Sequence, residues 1–281
     1  MKLDYTKIWR ENFELFFKED DLNRNFSYIS SLPSDLVNCK IHIKDDMILA
    51  GLPFFFETFN YLKDGIINYE SLLEYEGRSF QKSENKIIEF ALPFNIALSG
   101  ERIALNLLQR SSSIATFTSK FTQKAGEIKI LDTRKTTPGL RFIEKYGVRL
   151  GGGYNHRFGQ TDAWMVKDNH KNFFGGVKGA IEFFKNQRTM YQPIIVEIHD
   201  LAELKEVAGL GVRHFMLDNF RPDQIKEAVR FKQADMTYEV SGGINLENLG
   251  DYLIVGVDAI SSGSLTYAAP PVDISLKYHR N

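Results

Sequence analysis

Ile194-Ile195-Val196-Glu197-Ile198, then a helical pattern, then Phe215-Met216-Leu217-Asp218: this stretch decides the fold of the 281-residue chain. A short apolar run, a helix and a second apolar run make a strand-helix-strand unit, the arrangement that gives parallel strands joined by crossover helices. The same grammar extends both ways, with Ile128 to Leu131 and Trp164 to Val166 before it and Met236 to Val240 and Ala259 to Ser262 after it. Closing such a series yields an α/β barrel, in which strand carboxyl ends carry the chemistry while the loops vary. Polar residues stand at those ends: Arg134 and Lys135, Lys167, Glu197, Asp218, Ser241 and Gly263.

Upstream the pattern is less regular. A helix is expected from Tyr5 to Lys18, and Ile41-His42-Ile43 and Ile87 to Leu92 read as strands of an antiparallel or mixed sheet with helices on one side. Ile103, Ala104, Leu107, Leu108, Ile114 and Ala115 follow helical spacing, so a long helix should link the two parts. Asp273 to Lys277 reads as one more strand returning to the first domain. The expected division is 1–108, with 271–281 returning to it, and 109–270.

Totals exclude several function classes. With 35 basic and 36 acidic residues the formal net charge is −1, so no global field recruits nucleic acid and any cationic site must be local. The single cysteine, Cys39, rules out an intramolecular disulfide and a multi-cysteine metal site, and fits a reducing compartment. Met1 to Tyr5 carries no apolar signal core, and no run approaches roughly 18 apolar residues, so a cytoplasmic protein without a membrane partner is expected.

The cations gather in one region: Asp132-Thr133-Arg134-Lys135-Thr136-Thr137-Pro138-Gly139, Gly151-Gly152-Gly153-Tyr154-Asn155-His156-Arg157, and Lys167-Asp168-Asn169-His170. Any one of them could be solvated surface charge. Together, beside glycines and at strand ends, they describe a site for a small polyanion, because Arg offers a planar fork to carboxylate or phosphate and Lys a point charge. Glu197 and Asp218 can cap helices or pair with lysine; on a phosphate-binding rim they are candidates to hold Mg²⁺ or sugar hydroxyls. Ser241-Gly242-Gly243-Ile244-Asn245 reads as a glycine turn entering a helix near Asn245, and with Ser262-Gly263-Ser264 it forms a candidate monophosphate cradle. His42, His170, His199, His214 and His279 show no metal-ligand spacing, Ser111 to Ser113 have no acid-base partner in sequence, and the Phe54-Phe55-Phe56, Phe173-Phe174 and Phe183-Phe184 groups read as packing.

From Glu101 to Leu276 the chain resembles the quinolinate phosphoribosyltransferases, also called nicotinate-nucleotide pyrophosphorylases (carboxylating). The resemblance rests on Glu101-Arg102-Ile103-Ala104-Leu105-Asn106, the three cationic stretches above, Leu217-Asp218-Asn219-Phe220 and Ser241-Gly242-Gly243-Ile244. It implies an amino-terminal α/β sandwich, a carboxyl-terminal incomplete α/β barrel, and a homodimer or dimer-based homo-oligomer whose sites borrow a residue from the neighbour. It also implies Mg²⁺-dependent phosphoribosyl transfer from phosphoribosyl pyrophosphate to quinolinate with decarboxylation. By motif, Arg102 resembles the arginine lent across the interface; Arg134, His156, Arg157 and Lys167 surround the dicarboxylate; Lys135 lies towards pyrophosphate. Glu197 and Asp218 match the acids near ribose and metal, and Ser241, Gly242, Gly243 and Gly263 the 5′-phosphate cradle. Three places depart from the pattern: Asp21 to Ser27 lacks a Gly-Asp-x-Thr element, Ile195 replaces an acid, and Tyr267 replaces a histidine. The alternatives are a molybdate-transport-associated paralogue, which loses the Lys-Asp-Asn-His and Leu-Asp-Asn-Phe wording kept here, a non-catalytic phosphosugar-binding barrel, and nicotinate as acceptor.

Overall fold

Strict alternation builds the first sheet. The structure, a computed structural model, describes residues 5–20, 26–207 and 209–280. It divides into two units: Met1–Phe117 with Pro138–Gly151 and Ala269–Asn281, and Thr118–Thr137 with Gly152–Ala268. Met1 to Asp4 and most of the segment lacking the Gly-Asp-x-Thr element, Asp21 to Asn25, lie outside the described residues.

In the first unit the strands are β1 (Leu36–Ile43), β2 (Met47–Ile48), β3 (Ser79–Phe80) and β4 (Ile87–Pro93). β1 runs antiparallel between β4 and the C-terminal strand Ile274–Arg280, with Cys39 opposite both Phe90 and Tyr278. Val37, Cys39, Ile41 and Ile43 of β1 and Ile88, Phe90 and Leu92 of β4 are buried, whereas intervening residues are not. A period of two with one apolar face is what a sheet covered on one side requires. Phe55 and Phe56, from the helix Leu52–Leu62, meet Phe90 edge-on at 5.9 and 5.2 Å between ring centres.

The long helix spans Phe94–Ala125. Ser111, Ser112 and Ser113 are buried on it. The Ser112 hydroxyl accepts from the Ala50 amide at 3.0 Å, and the Ser113 hydroxyl accepts from the Val272 amide at 3.1 Å, so both are spent on fold hydrogen bonds. The helix Arg141–Leu150 packs closely in the same unit: a Cβ on Gly147 would sit 2.7 Å from the Ser111 carbonyl oxygen.

In the second unit β5 (Lys129–Leu131), β6 (Trp164–Val166), β7 (Ile194–Ile198), β8 (His214–Asp218), β9 (Thr237–Ser241) and β10 (Ala259–Ser261) form one parallel sheet in the order β5-β10-β9-β8-β7-β6. β5 and β6 are its edges, so the curved sheet is an incomplete barrel. Helices Asp168–Phe173 and Val177–Gln187 connect β6 to β7, Leu201–Val207 connects β7 to β8, and Pro222–Val229 connects β8 to β9. The helix expected near Asn245 is absent. Asn245 accepts from the Glu247 and Asn248 amides through its side chain, and only a four-residue 3-10 turn, Leu249–Tyr252, follows. A side chain that satisfies its own neighbours' amides offers the backbone an alternative to an α-helix. The segment after β9, expected to form a phosphate cradle, is therefore a glycine turn without helical support. Among the described residues no helix is long and apolar enough to cross a membrane.

Candidate active site

Parallel register places the inward-facing side chains in layers. Ile195, His214 and Thr237 are neighbours across β7, β8 and β9; Glu197, Met216 and Glu239 form the next layer; Asp218 and Ser241 face each other at the carboxyl ends. Moving two residues along a strand advances a side chain on the same face by about 6.6 Å. The upper layers open into a cavity of about 430 Å³.

Arg134, Lys135, His156, Arg157, Lys167, Glu197, Asp218, Ser241, Gly242, Gly243 and Gly263 all line that cavity. The structure thus gathers eleven expected site residues, nine following six strands or closing them and two, His156 and Arg157, from the glycine loop before β6. The twelfth, Arg102, is exposed on the helix Phe94–Ala125 in the first unit and is not among the lining residues. Of the two departures inside the barrel, Tyr267 lines the cavity beside Gly263 and Lys135, whereas Ile195 lies a layer lower and lines a second cavity.

The cationic wall is short of anions. Burial and then Arg134 push the Arg157 guanidinium below its ordinary pKa, the mark of two like charges held together out of water. Arg134 Nε is buried without a hydrogen-bond partner among the described residues, and so is the hydroxyl of Ser261 on the same wall. Buried donors with nothing to bind point to a ligand. Arg157 is aimed by its own loop, donating from Nη1 to the Ala163 carbonyl at 2.9 Å and to the Gln160 carbonyl at 3.2 Å.

Opposite stand the acids. Lys167 Nζ donates to Glu197 Oε2 at 2.5 Å, with the Lys167 side chain 46% exposed and that of Glu197 8%. An incoming carboxylate can compete for this ammonium. Burial and the neighbouring Glu197 carboxylate hold the Asp218 carboxyl above its usual range, against the pull of His199, Lys167 and Lys135. Two carboxylates this close to one another are a donor set suited to a divalent cation.

Sequence spacing left His199 without a role, yet its Nε2 lies 3.6 Å from Glu197 Oε1 and 3.8 Å from Asp218 Oδ2. Asp168, Glu197 and His199 offer ligand atoms all within 4.8 Å of one another, although Lys171 Nζ also approaches His199 Nδ1 at 3.1 Å. The group joins two loops, so no local spacing could announce it. Asp132 was also passed over. It is fully buried, and its carboxylate accepts from Asn155 Nδ2 at 2.6 Å and the His156 amide at 2.8 Å, tying the loop after β5 to the glycine loop.

The glycine end of the cavity is shaped by backbone. Gly242 has φ +103°, and a Cβ there would sit 2.3 Å from Asn219 Oδ1 and 2.7 Å from the Asn219 amide nitrogen. Asn219, itself at φ +58°, donates from its amide to the Ser241 carbonyl at 2.9 Å and from Nδ2 to Asp218 Oδ2 at 2.8 Å. The glycine turn therefore also sets the acid's neighbour. On the next strand end Thr266 Oγ1 donates to the Lys135 carbonyl at 2.8 Å, which holds the Lys135 loop beside Gly263.

Two family models cover the chain, the N-terminal domain of quinolinate phosphoribosyl transferase over residues 26–112 and its C-terminal domain over residues 114–277. The chain is 38% identical to a probable nicotinate-nucleotide pyrophosphorylase [carboxylating] of Bacillus subtilis, over 93% of this chain and 90% of that protein. It is 36% identical to the nicotinate-nucleotide pyrophosphorylase [carboxylating] of Homo sapiens, over 83% of this chain and 80% of that protein. The crystal structure of NadC from Streptococcus pyogenes superposes with a TM-score of 0.88 at 32% identity, covering 98% of this chain and 99% of that one.

Proposed function

The chain belongs to the quinolinate phosphoribosyltransferase family, and from that membership we propose how its own residues perform the family's reaction. The enzyme transfers the phosphoribosyl group of phosphoribosyl pyrophosphate to quinolinate and releases pyrophosphate and CO₂, giving nicotinate mononucleotide for NAD biosynthesis. One observation carries the residue assignment: two guanidiniums and two ammoniums share one cavity with two carboxylates, and Arg134 Nε and the Ser261 hydroxyl there are buried donors without partners among the described residues.

Arg134, Arg157 and Lys167 hold the two carboxylates of the pyridine and present its nitrogen to ribose C1′, with the His156 ring lining the same cavity. Fixing both reactants removes most of the entropic cost of their meeting. As the bond from C1′ to pyrophosphate breaks, its electron pair leaves with the pyrophosphate, whose charge Lys135 meets, while Glu197 or Asp218 faces the positive charge developing on the ribose. Ser241, Gly242, Gly243 and Gly263 hold the 5′-phosphate through amides and a hydroxyl. N-ribosylation turns the ring into a pyridinium, so the bond from ring carbon 2 to its carboxylate can break with its electron pair held beside the positive nitrogen; CO₂ leaves and that pair takes a proton from water. Positioning suffices for that step.

Glu197 and Asp218 are the residues that would hold Mg²⁺, and bound there the ion neutralises charge on the pyrophosphate. The working assembly in this reading is a homodimer in which Arg102 completes the neighbouring site, located in the cytoplasm in keeping with one buried, unpaired cysteine.

Incubation of the pure protein with quinolinate, phosphoribosyl pyrophosphate and Mg²⁺, followed by mass spectrometry, tests the assignment. Nicotinate mononucleotide is the expected product. Binding of both substrates without product would instead favour a non-catalytic phosphosugar-binding barrel.

A further inference from the structure

His156 lines the upper cavity, yet both of its ring nitrogens are turned towards the protein. Nδ1 accepts the Arg157 backbone N–H at 2.7 Å. An Nδ1 that accepts cannot carry a proton, so the ring's proton is on Nε2. That nitrogen lies 3.3 Å from Glu239 Oε2, with the His156 side chain 8% exposed and that of Glu239 12%.

Glu239 is an unusual occupant of its position. It sits mid-strand on β9, on the inward face between Thr237 and Ser241, in a layer with Met216 on β8 and Ala259 on β10. Its other oxygen, Oε1, is buried without a hydrogen-bond partner among the described residues. It lines the lower cavity, about 330 Å³, where apolar Ile195, Phe215 and Ala259 stand together with Lys129, His214 and Asp258. A carboxylate in such surroundings is costly to desolvate and needs a compensating partner. The partner facing it is His156.

We propose that Glu239 is a positioning residue for the quinolinate half of the site. It never touches substrate. From one layer below, it holds the His156 imidazole as the Nε2–H tautomer, and that tautomer keeps Nδ1 free to accept the Arg157 amide. The chain of contacts Glu239, His156 ring, Arg157 backbone then fixes where the Arg157 guanidinium stands relative to Arg134. The Asp132 carboxylate, accepting the His156 amide, secures the same loop from its other side. Arg134, Arg157 and Lys167 supply the positive charge, and His156 acts as a neutral ring that carries their geometry. The second layer behind a binding residue commonly sets its orientation in this way.

The inference rests on quinolinate being the ligand of the upper cavity, and two measurements keep the two ideas separable. First, imidazole nitrogen NMR on protein labelled with ¹⁵N-histidine, with His156 assigned by the signals lost in H156A, reports the tautomer without any ligand. The expected result is an unprotonated Nδ1 and a protonated Nε2 at neutral pH in the wild-type protein, with that single tautomer lost in E239A and retained in E239Q, whose amide oxygen still accepts. Second, calorimetric titration with quinolinate reads the consequence. E239A should weaken binding about tenfold, E239Q should recover most of that loss, and in an H156A background E239A should change affinity by less than about twofold, because contacts in series are non-additive. A wild-type ring protonated on Nδ1, or the same loss from E239A with and without His156, would overturn the proposal. Failure of the wild-type protein to bind quinolinate would contradict the substrate, while the ring signals would still decide the Glu239 pairing.

Discussion

Arg134 and Lys167 show how few side chains the site depends on. Each meets a substrate carboxylate in the proposed reaction, and loss of a charge-assisted contact from a desolvated site costs about 2–4 kcal/mol of transition-state stabilisation. Arg134→Ala and Lys167→Ala should each lower kcat/KM for quinolinate accordingly, with a smaller change for phosphoribosyl pyrophosphate; near-normal quinolinate kinetics in either variant would refute the assignment. Cys39 gives the opposite kind of prediction. It is fully buried on β1, and burial pushes its thiol up to about 11. It should resist thiol reagents in the native protein and react only on unfolding, as a denaturant series with a chromogenic disulfide would show. Burial also raises the Glu76 carboxyl, although the Gly51 and Leu52 amides and the Tyr146 hydroxyl donate to it. The folded chain then keeps this proton to higher pH than the unfolded chain, so the contribution of Glu76 to stability is most favourable below 4.5 and declines as pH rises through its folded value. Comparing melting temperatures of wild-type and E76Q protein between about pH 4 and pH 7 should show that decline in the wild type and a flatter profile in the variant.

At the scale of elements, close approach is the recurring demand. Gly242→Ala meets both a positive φ and the Asn219 backbone, so it should shift the turn after β9 together with Asp218's neighbour. A rise in KM for phosphoribosyl pyrophosphate and a stability loss of about 1–3 kcal/mol are expected, read by kinetics and thermal melting. The strands carrying this turn were legible beforehand: the apolar runs from Ile128 to Ser262 mark six parallel strands because buried parallel strands read as continuous apolar segments. The strand ends were legible too, since Lys167, Glu197 and Asp218 interrupt apolar text where a charge taken out of water needs a partner. What followed β9 was not. Ser241 to Asn245 looks like a strand running into a helix, but the Asx turn of Asn245 depends on side-chain hydrogen bonds that residue types alone do not choose between. Asp132, His199 and Glu239 were missed for a related reason. Their partners, Asn155, Asp218 and His156, are distant in sequence and meet only when the strands align.

For the whole molecule, 35 basic against 36 acidic residues leave any cationic field local to one site. Whether that site is complete in one chain is settled by subunit mixing. If Arg102 is lent across a homodimer, R102A and K135A proteins should each be nearly inactive, and an equimolar mixture refolded or exchanged together should recover about a quarter of wild-type activity, since half of the random dimers carry one intact site. No recovery would place Arg102 outside the shared site. The account as a whole stands on cations from separate strand ends meeting around a pyridine dicarboxylate whose 2-carboxylate is lost after ribosylation. The most direct measurement follows quinolinate labelled at that carboxylate with phosphoribosyl pyrophosphate and Mg²⁺, counting labelled CO₂ against pyrophosphate. Equal release of the two is the predicted result, and pyrophosphate release without labelled CO₂ would contradict it.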